Sequence, residues 1–359
     1  MYLHNIIGII RIWRYTMKTL VVNKDGSLSI NEIPKPKCGA KQAMVKTIAC
    51  GMCGTDVKLI HRTFKGYPES MYPLMLGHEG VGEVVEIGAD VKGLKLGDKV
   101  LLPFVDPDPE LYGDLGSGWG AMSEYAIVHD PLAYAEGEAP DCAFAQTVIS
   151  DDLDPVDSVM FVTFREVLSN IKYFGITPEN SVVVFGCGPV GLAYVKFLSL
   201  WGCKDIVAID LSDEKLASAK ANGASITINS RNEDITAIVR AAFPDGVDFA
   251  LDAVGLPMIA NQSMPIIADR GTILCYGVPE KEEITLDFSS ASYNWNLIFQ
   301  QMPRKIEEGE AHQQVLDWVR SGDLVVKDFI SDYFDFNQSV EAYDKLLDRQ
   351  ILKKGIITF

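Results

Sequence analysis

Two hydrophobic rhythms divide the chain. Over the first half, apolar residues come in short runs closed by Gly, Pro, Asn or Asp, as at Lys24-Asp25-Gly26 and Pro34-Lys35-Pro36. Such punctuation predicts strands at Lys18–Asn23, Leu28–Ile33, Ala43–Cys50, Gly80–Ile87, Lys99–Pro103 and Tyr125–Val128. From about Asp154 the rhythm lengthens. Short apolar strands (Ser181–Phe185, Asp205–Ile209, Ser225–Ile228, Val247–Leu251, Gly271–Tyr276) alternate with helical stretches that include Val190–Trp201 and Asp213–Asn222. Strands buried on both faces, with helices between them, predict a parallel sheet covered on both sides. After Asn296 the elements are short and mixed again, ending in the strand-like Gly355–Phe359. The expected plan is a mostly β domain (17–155 and 297–359) interrupted by an α/β domain (156–296).

Composition supports two cores. The chain has 359 residues, 48% of them hydrophobic, and domains hold about 150 residues each. Acidic residues outnumber basic ones, 49 to 32, for a net charge of -17. With no strongly basic segment, nucleic acid is excluded as a partner, since its binding rests on cationic neutralisation. A membrane span is not expected either, because no apolar run reaches ~18 residues. Seven cysteines at irregular spacing do not form a disulfide framework and point to a reducing cytoplasm. In the first 16 residues the apolar run Ile6–Ile10 precedes Arg11 and Arg14, the reverse of a secretory signal. Residues 1–16 therefore read as an extension, with the fold beginning near Met17.

The sharpest local signal is Ser181-Val-Val-Val-Phe185 running into Gly186-Cys187-Gly188-Pro189-Val190-Gly191 and an apolar helix. Gly186 suits a tight turn, Gly188 a close approach of backbone to a pyrophosphate, and Gly191 close packing of helix on strand. The helix start at Pro189 and Val190 then offers free N–H groups to the phosphates. Asp210, 19 residues beyond Gly191, ends the next strand, where a carboxylate bonds ribose hydroxyls and repels a 2′-phosphate. NAD is expected rather than NADP. The alternative is a glycine-rich turn followed by an acid that caps a helix.

In the first half, Gly51-Met52-Cys53-Gly54-Thr55-Asp56 stands about 25 residues before Gly77-His78-Glu79-Gly80-Val81-Gly82. Thiolate, imidazole and carboxylate are the ligand types of a catalytic zinc, which keeps one position open. Taken singly, Cys53 reads as a small buried apolar side chain and His78 as a turn or core residue.

Together with the glycine fingerprint, these two stretches resemble the zinc-containing medium-chain dehydrogenase/reductase superfamily, and more nearly its sorbitol/polyol and threonine dehydrogenases. The resemblance runs from about Met17 to Phe359. It implies a GroES-like catalytic domain with an inserted doubly wound Rossmann domain. It further implies Cys53, His78 and Glu79 as zinc ligands, Asp56 as the acid orienting His78, and Thr55 as the hydroxyl that bonds the substrate oxygen and passes its proton on. The implied activity is hydride transfer from a secondary alcohol (a polyol, sugar or hydroxy-amino acid) to NAD, in a homodimer or homotetramer. The alternatives are a metal-free NAD(P)H reductase of the same superfamily, a non-redox NAD-binding protein, and a zinc enzyme using NAD transiently.

Two departures from that pattern stand out. Relatives often carry four cysteines for a structural zinc, but Phe104–Met122 contains none, so one catalytic zinc and no structural zinc are expected. Where relatives place a further Cys or Glu before the Rossmann domain, this chain has Val162. Glu166, four residues on, falls on the same helical face; it either reaches the metal or pairs with Arg165 or Lys172 at the surface. Lys58 occupies the position of a relay histidine, and His61 reads as a surface residue. Lys215 matches a basic residue near the adenine or lies on a solvated helix face. Val254, Gly277 and Val278, at strand ends, line the nicotinamide or serve as plain turns. Phe64, Tyr67, Trp119 and Trp295 wall a substrate pocket or belong to the core.

Overall fold

The computed structural model describes residues 15–279 and 283–359, so the expected N-terminal extension lies almost wholly outside the described residues. Two compact units emerge: residues up to Val162 joined by Ile330–Phe359, and the intervening Thr163–Phe329.

The first unit opens with the antiparallel pair β1 (Thr16–Val22) and β2 (Leu28–Pro34). Next come β3 (Gln42–Gly51), α1 (Gly54–Ile60), β4 (Leu74–Met75), β5 (Glu79–Ile87) and β6 (Lys99–Leu101). The short α2 (Pro109–Tyr112), β7 (Gly116–Ser117) and β8 (Tyr125–His129) follow. Strands β2, β1, β4 and β7 form one sheet, while β3, β5 and β6 form the middle and edge of a second, with β8 also on β3. Alternating residues of these strands meet in a core that includes Val45, Met75, Val84, Val100 and Val128.

The second unit takes in most of α3 (Met160–Tyr173), then β9 (Val182–Phe185), α4 (Pro189–Trp201), β10 (Ile206–Asp210), α5 (Asp213–Ala221) and β11 (Ile226–Asn229). It continues through α6 (Ile235–Ala242), β12 (Val247–Asp252), α7 (Pro257–Ser263), β13 (Ile267–Cys275), β14 (Asn296–Phe299) and α8 (Lys305–Ser321). Among the described residues its sheet runs β11-β10-β9-β12-β13-β14, every neighbouring pair parallel. That is the doubly wound order, with its reversal between β9 and β12, and ligands of such sheets bind beyond the strand ends at the reversal. All four residues of β9 are buried, which explains their lack of polar alternation.

The chain then returns to the first unit as β15 (Ile330–Asp335), α9 (Ser339–Leu347) and β16 (Lys354–Thr358). β16 lies antiparallel to β3, with Ile356 opposite Gly51.

This arrangement moves the expected domain boundary. The sequence pattern puts residues 297–329 in the mostly β domain and 156–162 in the α/β domain, but 297–329 group with the α/β unit and 156–162 with the mostly β one. β14 pairs with β13 as its sixth strand. Trp318 on α8 packs edge-on against Phe197 at 5.2 Å, and Phe329 against Phe164 at 5.0 Å. A four-residue strand beside a long polar helix has too little apolar pattern to announce a sheet edge.

The contact between α3 and α8 carries buried charge. Arg165 and Glu308 are both fully buried, and His312 is 8% exposed. Lys305 bonds Glu308 at 2.6 Å. Burial, and then the Arg165 charge, push His312 down to about 4. The folded state thus holds His312 neutral while the unfolded chain protonates near pH 6.5. Its contribution is complete above that pH and is lost as pH falls through about 4, a swing of about 3 kcal/mol. His312→Leu should flatten the fall of the urea midpoint between pH 6.5 and 4; an unchanged slope would remove His312 from this role.

Candidate functional site

Cys53 caps α1, and Asp56 sits one turn inside it. The Asp56 Oδ2 accepts the Cys53 backbone N–H at 3.0 Å, so one short segment fixes both side chains. His78 and Glu79 arrive on the start of β5, after Gly77 at φ 99°. A side chain at Gly77 would meet the Met122 backbone nitrogen at 2.4 Å, so only glycine lets the chain pass there.

These elements bring one ligand atom each from Cys53, His78 and Glu79 to within 4.8 Å of one another. A thiol, an imidazole and a carboxylate are the donor types of a catalytic zinc site, which takes three protein groups and keeps a fourth position open. Asp56 is fully buried and turns its Oδ1 to the His78 Nδ1 at 3.3 Å. The two groups face each other without the alignment of a close hydrogen bond. Burial opposes a charge on His78, yet Cys53 and Asp56 together hold its proton affinity well above the ordinary histidine range. The Asp56 carboxylate behind the cluster favours a metal cation there.

Two residues from the C-terminal return complete the surroundings. The Tyr343 hydroxyl donates to the Asp56 Oδ2 at 2.8 Å, from a fully buried position on α9. The Lys354 ammonium donates to the Glu79 Oε2 at 2.5 Å, with the two side chains 2% and 3% exposed. Burial works against the Lys354 charge, and Glu79, followed by Cys53, more than offsets it. Neither residue was visible as a site residue in the sequence. The available signal was a lysine placed at the head of the buried strand β16.

Trp119 lies tilted beside His78, ring centroids 5.1 Å apart, and meets Phe64 at 5.9 Å and Tyr67 at 5.7 Å. Three of the four candidate wall aromatics therefore gather at the donor cluster. Trp295 does not; it packs against the core of the α/β unit.

At the nucleotide fingerprint each glycine has a distinct reason. Gly186 has φ 91°, and a Cβ on Gly191 would lie 1.8 Å from the Gly186 carbonyl oxygen. Around Gly188 the space is open to 4 Å, as close approach of a pyrophosphate requires. Pro189 and Val190 form the first turn of α4. The Asp210 Oδ2 accepts the Cys187 N–H at 2.7 Å, and its Oδ1 accepts those of Leu211 and Ser212 at 2.8 and 3.0 Å. The acid braces the glycine-rich loop and caps a turn. Lys215 lies in the first turn of α5. Val254 follows β12, and Gly277 and Val278 follow β13, packed so closely that a Cβ on Gly277 would lie 2.1 Å from the Gly255 nitrogen.

Comparison with known proteins shows the family. Residues 39–135 match the family model of the alcohol dehydrogenase GroES-like domain, and 189–302 that of the zinc-binding dehydrogenase. An alcohol dehydrogenase of Geobacillus stearothermophilus is 31% identical over 284 residues, covering 74% of this chain and 78% of that protein. The chain belongs to the zinc-containing medium-chain dehydrogenase/reductase superfamily. An L-threonine 3-dehydrogenase of Cutibacterium acnes is 28% identical over 91% of this chain and 95% of its own length. In structure, an alcohol dehydrogenase from E. coli CFT073 complexed with NADH aligns with a TM-score of 0.78 at 23% identity, covering 96% of this chain and 100% of that one.

Against the superfamily pattern, Val162 is buried on α3 with an apolar side chain. Glu166 is not a member of the donor cluster found among the described residues. Its charge acts on Tyr194 and Lys305 within the α/β unit. Arg165, offered as its surface partner, is fully buried; an apolar helix face on both sides of it draws the guanidinium inward. Lys58 lies on α1, and His61 is exposed just beyond it.

Proposed function

We propose that this protein is a zinc-dependent oxidoreductase that transfers hydride from a secondary alcohol to NAD, yielding a ketone, NADH and a proton. The observation that carries this reading is the convergence of Cys53, His78 and Glu79 within 4.8 Å, a donor set for which a metal-free reductase has no use. When bound, zinc supplies a Lewis acid that makes an alcohol proton easier to remove. Thr55, on the first turn of α1 beside Cys53, accepts that proton and hands it outward. Asp56, facing the His78 Nδ1 at 3.3 Å, orients the imidazole. Phe64, Tyr67 and Trp119 give the carbon skeleton of a polyol, sugar or hydroxy-amino acid an aromatic face. Gly186 to Gly191 and Asp210 carry the dinucleotide, with Lys215, Val254, Gly277 and Val278 along its length. This orientation of the cofactor is the protein's share of the hydride step.

One zinc per chain is proposed, since Phe104–Met122 has no cysteine to hold a second. Seven free thiols support a cytoplasmic setting. Among the described residues no helix is long and apolar enough to cross a membrane. A homodimer or homotetramer is supported by the edge strand β14 and by exposed Phe288 and Phe299, 64% and 51% accessible.

The test combines metal analysis with NADH formation over a panel of polyols, sugars and amino alcohols, with and without chelator. About one zinc per chain and chelator-sensitive turnover are expected. Zinc below about 0.2 per chain with chelator-insensitive turnover would sink the reading.

A further inference from the structure

We propose that the C-terminal return sets the metal affinity of the site from behind, with Tyr343 and Lys354 acting as positioning residues of opposite sign. This rests on the zinc reading above. The two carboxylates of the site come from the N-terminal half, yet each is held by a residue about 280 positions further along the chain. Tyr343 hydrogen-bonds Asp56 and works through it. Lys354 works directly on the ligand Glu79.

Tyr343 favours the metal. The Asp56 Oδ2 accepts two donors, the Cys53 N–H at 3.0 Å and the Tyr343 O–H at 2.8 Å. Together they fix the carboxylate plane and leave Oδ1 turned to the His78 Nδ1 at 3.3 Å. A neutral imidazole has one N–H. Held toward Asp56, it leaves the other nitrogen free to ligate. Loss of the phenol releases one of the two anchors of Asp56, and His78 loses its fixed orientation with it.

Lys354 opposes the metal. Its ammonium takes the Glu79 Oε2 at 2.5 Å, inside a space that excludes solvent. A cation at the donor cluster must share that carboxylate with the ammonium and also meets its repulsion, weakly screened by buried surroundings. The register makes the encounter obligatory. Gly51 of β3 stands opposite Glu79 of β5 and opposite Ile356 of β16, two residues from Lys354. A Cβ on Gly51 would lie 2.5 Å from the Glu79 Oε2 and 3.4 Å from the Lys354 Cδ. The missing side chain is the room in which the two meet.

The consequence is a site whose affinity is balanced, one outer residue strengthening it and the other holding it down. The test uses the full chain, stripped of metal, with zinc affinity read by competition against a chromophoric chelator. The zinc-induced rise in melting temperature provides the second readout. Tyr343→Phe should weaken zinc binding about 10–100-fold. Lys354→Met should tighten it at least about 10-fold and enlarge the zinc-induced rise, because the bare buried carboxylate it leaves is relieved by the cation. Lys354→Arg, which keeps the charge, should restore the wild-type affinity. Should Lys354→Met fail to fold, Lys354→Gln carries the same expectation. Changes of the same sign in Tyr343→Phe and Lys354→Met, or changes below about threefold in both, would overturn the proposal, since a purely structural role moves both the same way. A wild-type chain that takes up no zinc would instead overturn the metal reading itself.

Discussion

Cys53→Ala is expected to abolish zinc binding and lower turnover by at least about 10³-fold, with NADH affinity staying near wild type. The size follows from the chemistry: Lewis-acid stabilisation amounts to several kcal/mol, and each 1.36 kcal/mol is a factor of ten. Alanine is the informative replacement because the Asp56 Oδ2 takes the backbone N–H of residue 53, not its side chain. The start of α1 and the orientation of Asp56 therefore survive the loss of the thiol. The dinucleotide groups hang on β9, α4 and β10 of the other unit, so cofactor binding reports on integrity independently of the metal. Measured together, zinc content, steady-state turnover and NADH fluorescence titration separate the cases. Retained zinc with retained turnover would remove Cys53 from the ligand set. Loss of NADH binding as well would mean that the substitution damages the fold.

What could be read from the sequence was local. The glycine fingerprint is legible because turn, close approach and helix packing each require a missing side chain within six residues, and Gly186 and Gly191 bear out those requirements in φ and in clearance. Cys53, His78 and Glu79 are legible because strand ends and a helix cap deliver them from two short stretches. Tyr343 and Lys354 were not: Lys354 takes its meaning from the pairing of β16 with β3, a register that no local pattern specifies, and Tyr343 from a hydrogen bond to Asp56, 287 residues earlier in the chain. Arg165 misled for a related reason: charge suggested a surface position, whereas its helix is buried at that level, polar Thr163, Ser169 and Asn170 included, and Glu308 and Lys305 lie on a helix more than 130 residues later. The domain boundary failed at β14, too short to carry a period.

Asp210→Ser should lower kcat/KM with NAD by about 10²-fold and shift the preference toward NADP. Asp210 has two tasks. As an acceptor it braces Cys187 from Oδ2 and caps the Leu211–Ser212 turn from Oδ1. A carboxylate offers about four lone-pair sites, so three backbone donors leave capacity for a ribose hydroxyl. As a charge, it repels the 2′-phosphate that distinguishes NADP. Serine removes both functions at once, so a second variant must divide them. Asp210→Asn discards the charge and keeps one acceptor oxygen, which can retain the Cys187 brace while the amide NH2 gives up the Leu211–Ser212 cap. If charge sets the preference, Asp210→Asn gains activity with NADP as Asp210→Ser does, while its NADH affinity falls less because the Cys187 brace remains. If the brace is what matters, Asp210→Asn stays close to wild type with both cofactors and only Asp210→Ser loses activity. Unchanged selectivity in both variants would return Asp210 to a purely structural place at the end of β10. Lys215, in the first turn of α5, is the nearest cation in the sequence to help an incoming 2′-phosphate. Adding Lys215→Ala to Asp210→Asn should accordingly cancel part of the NADP gain.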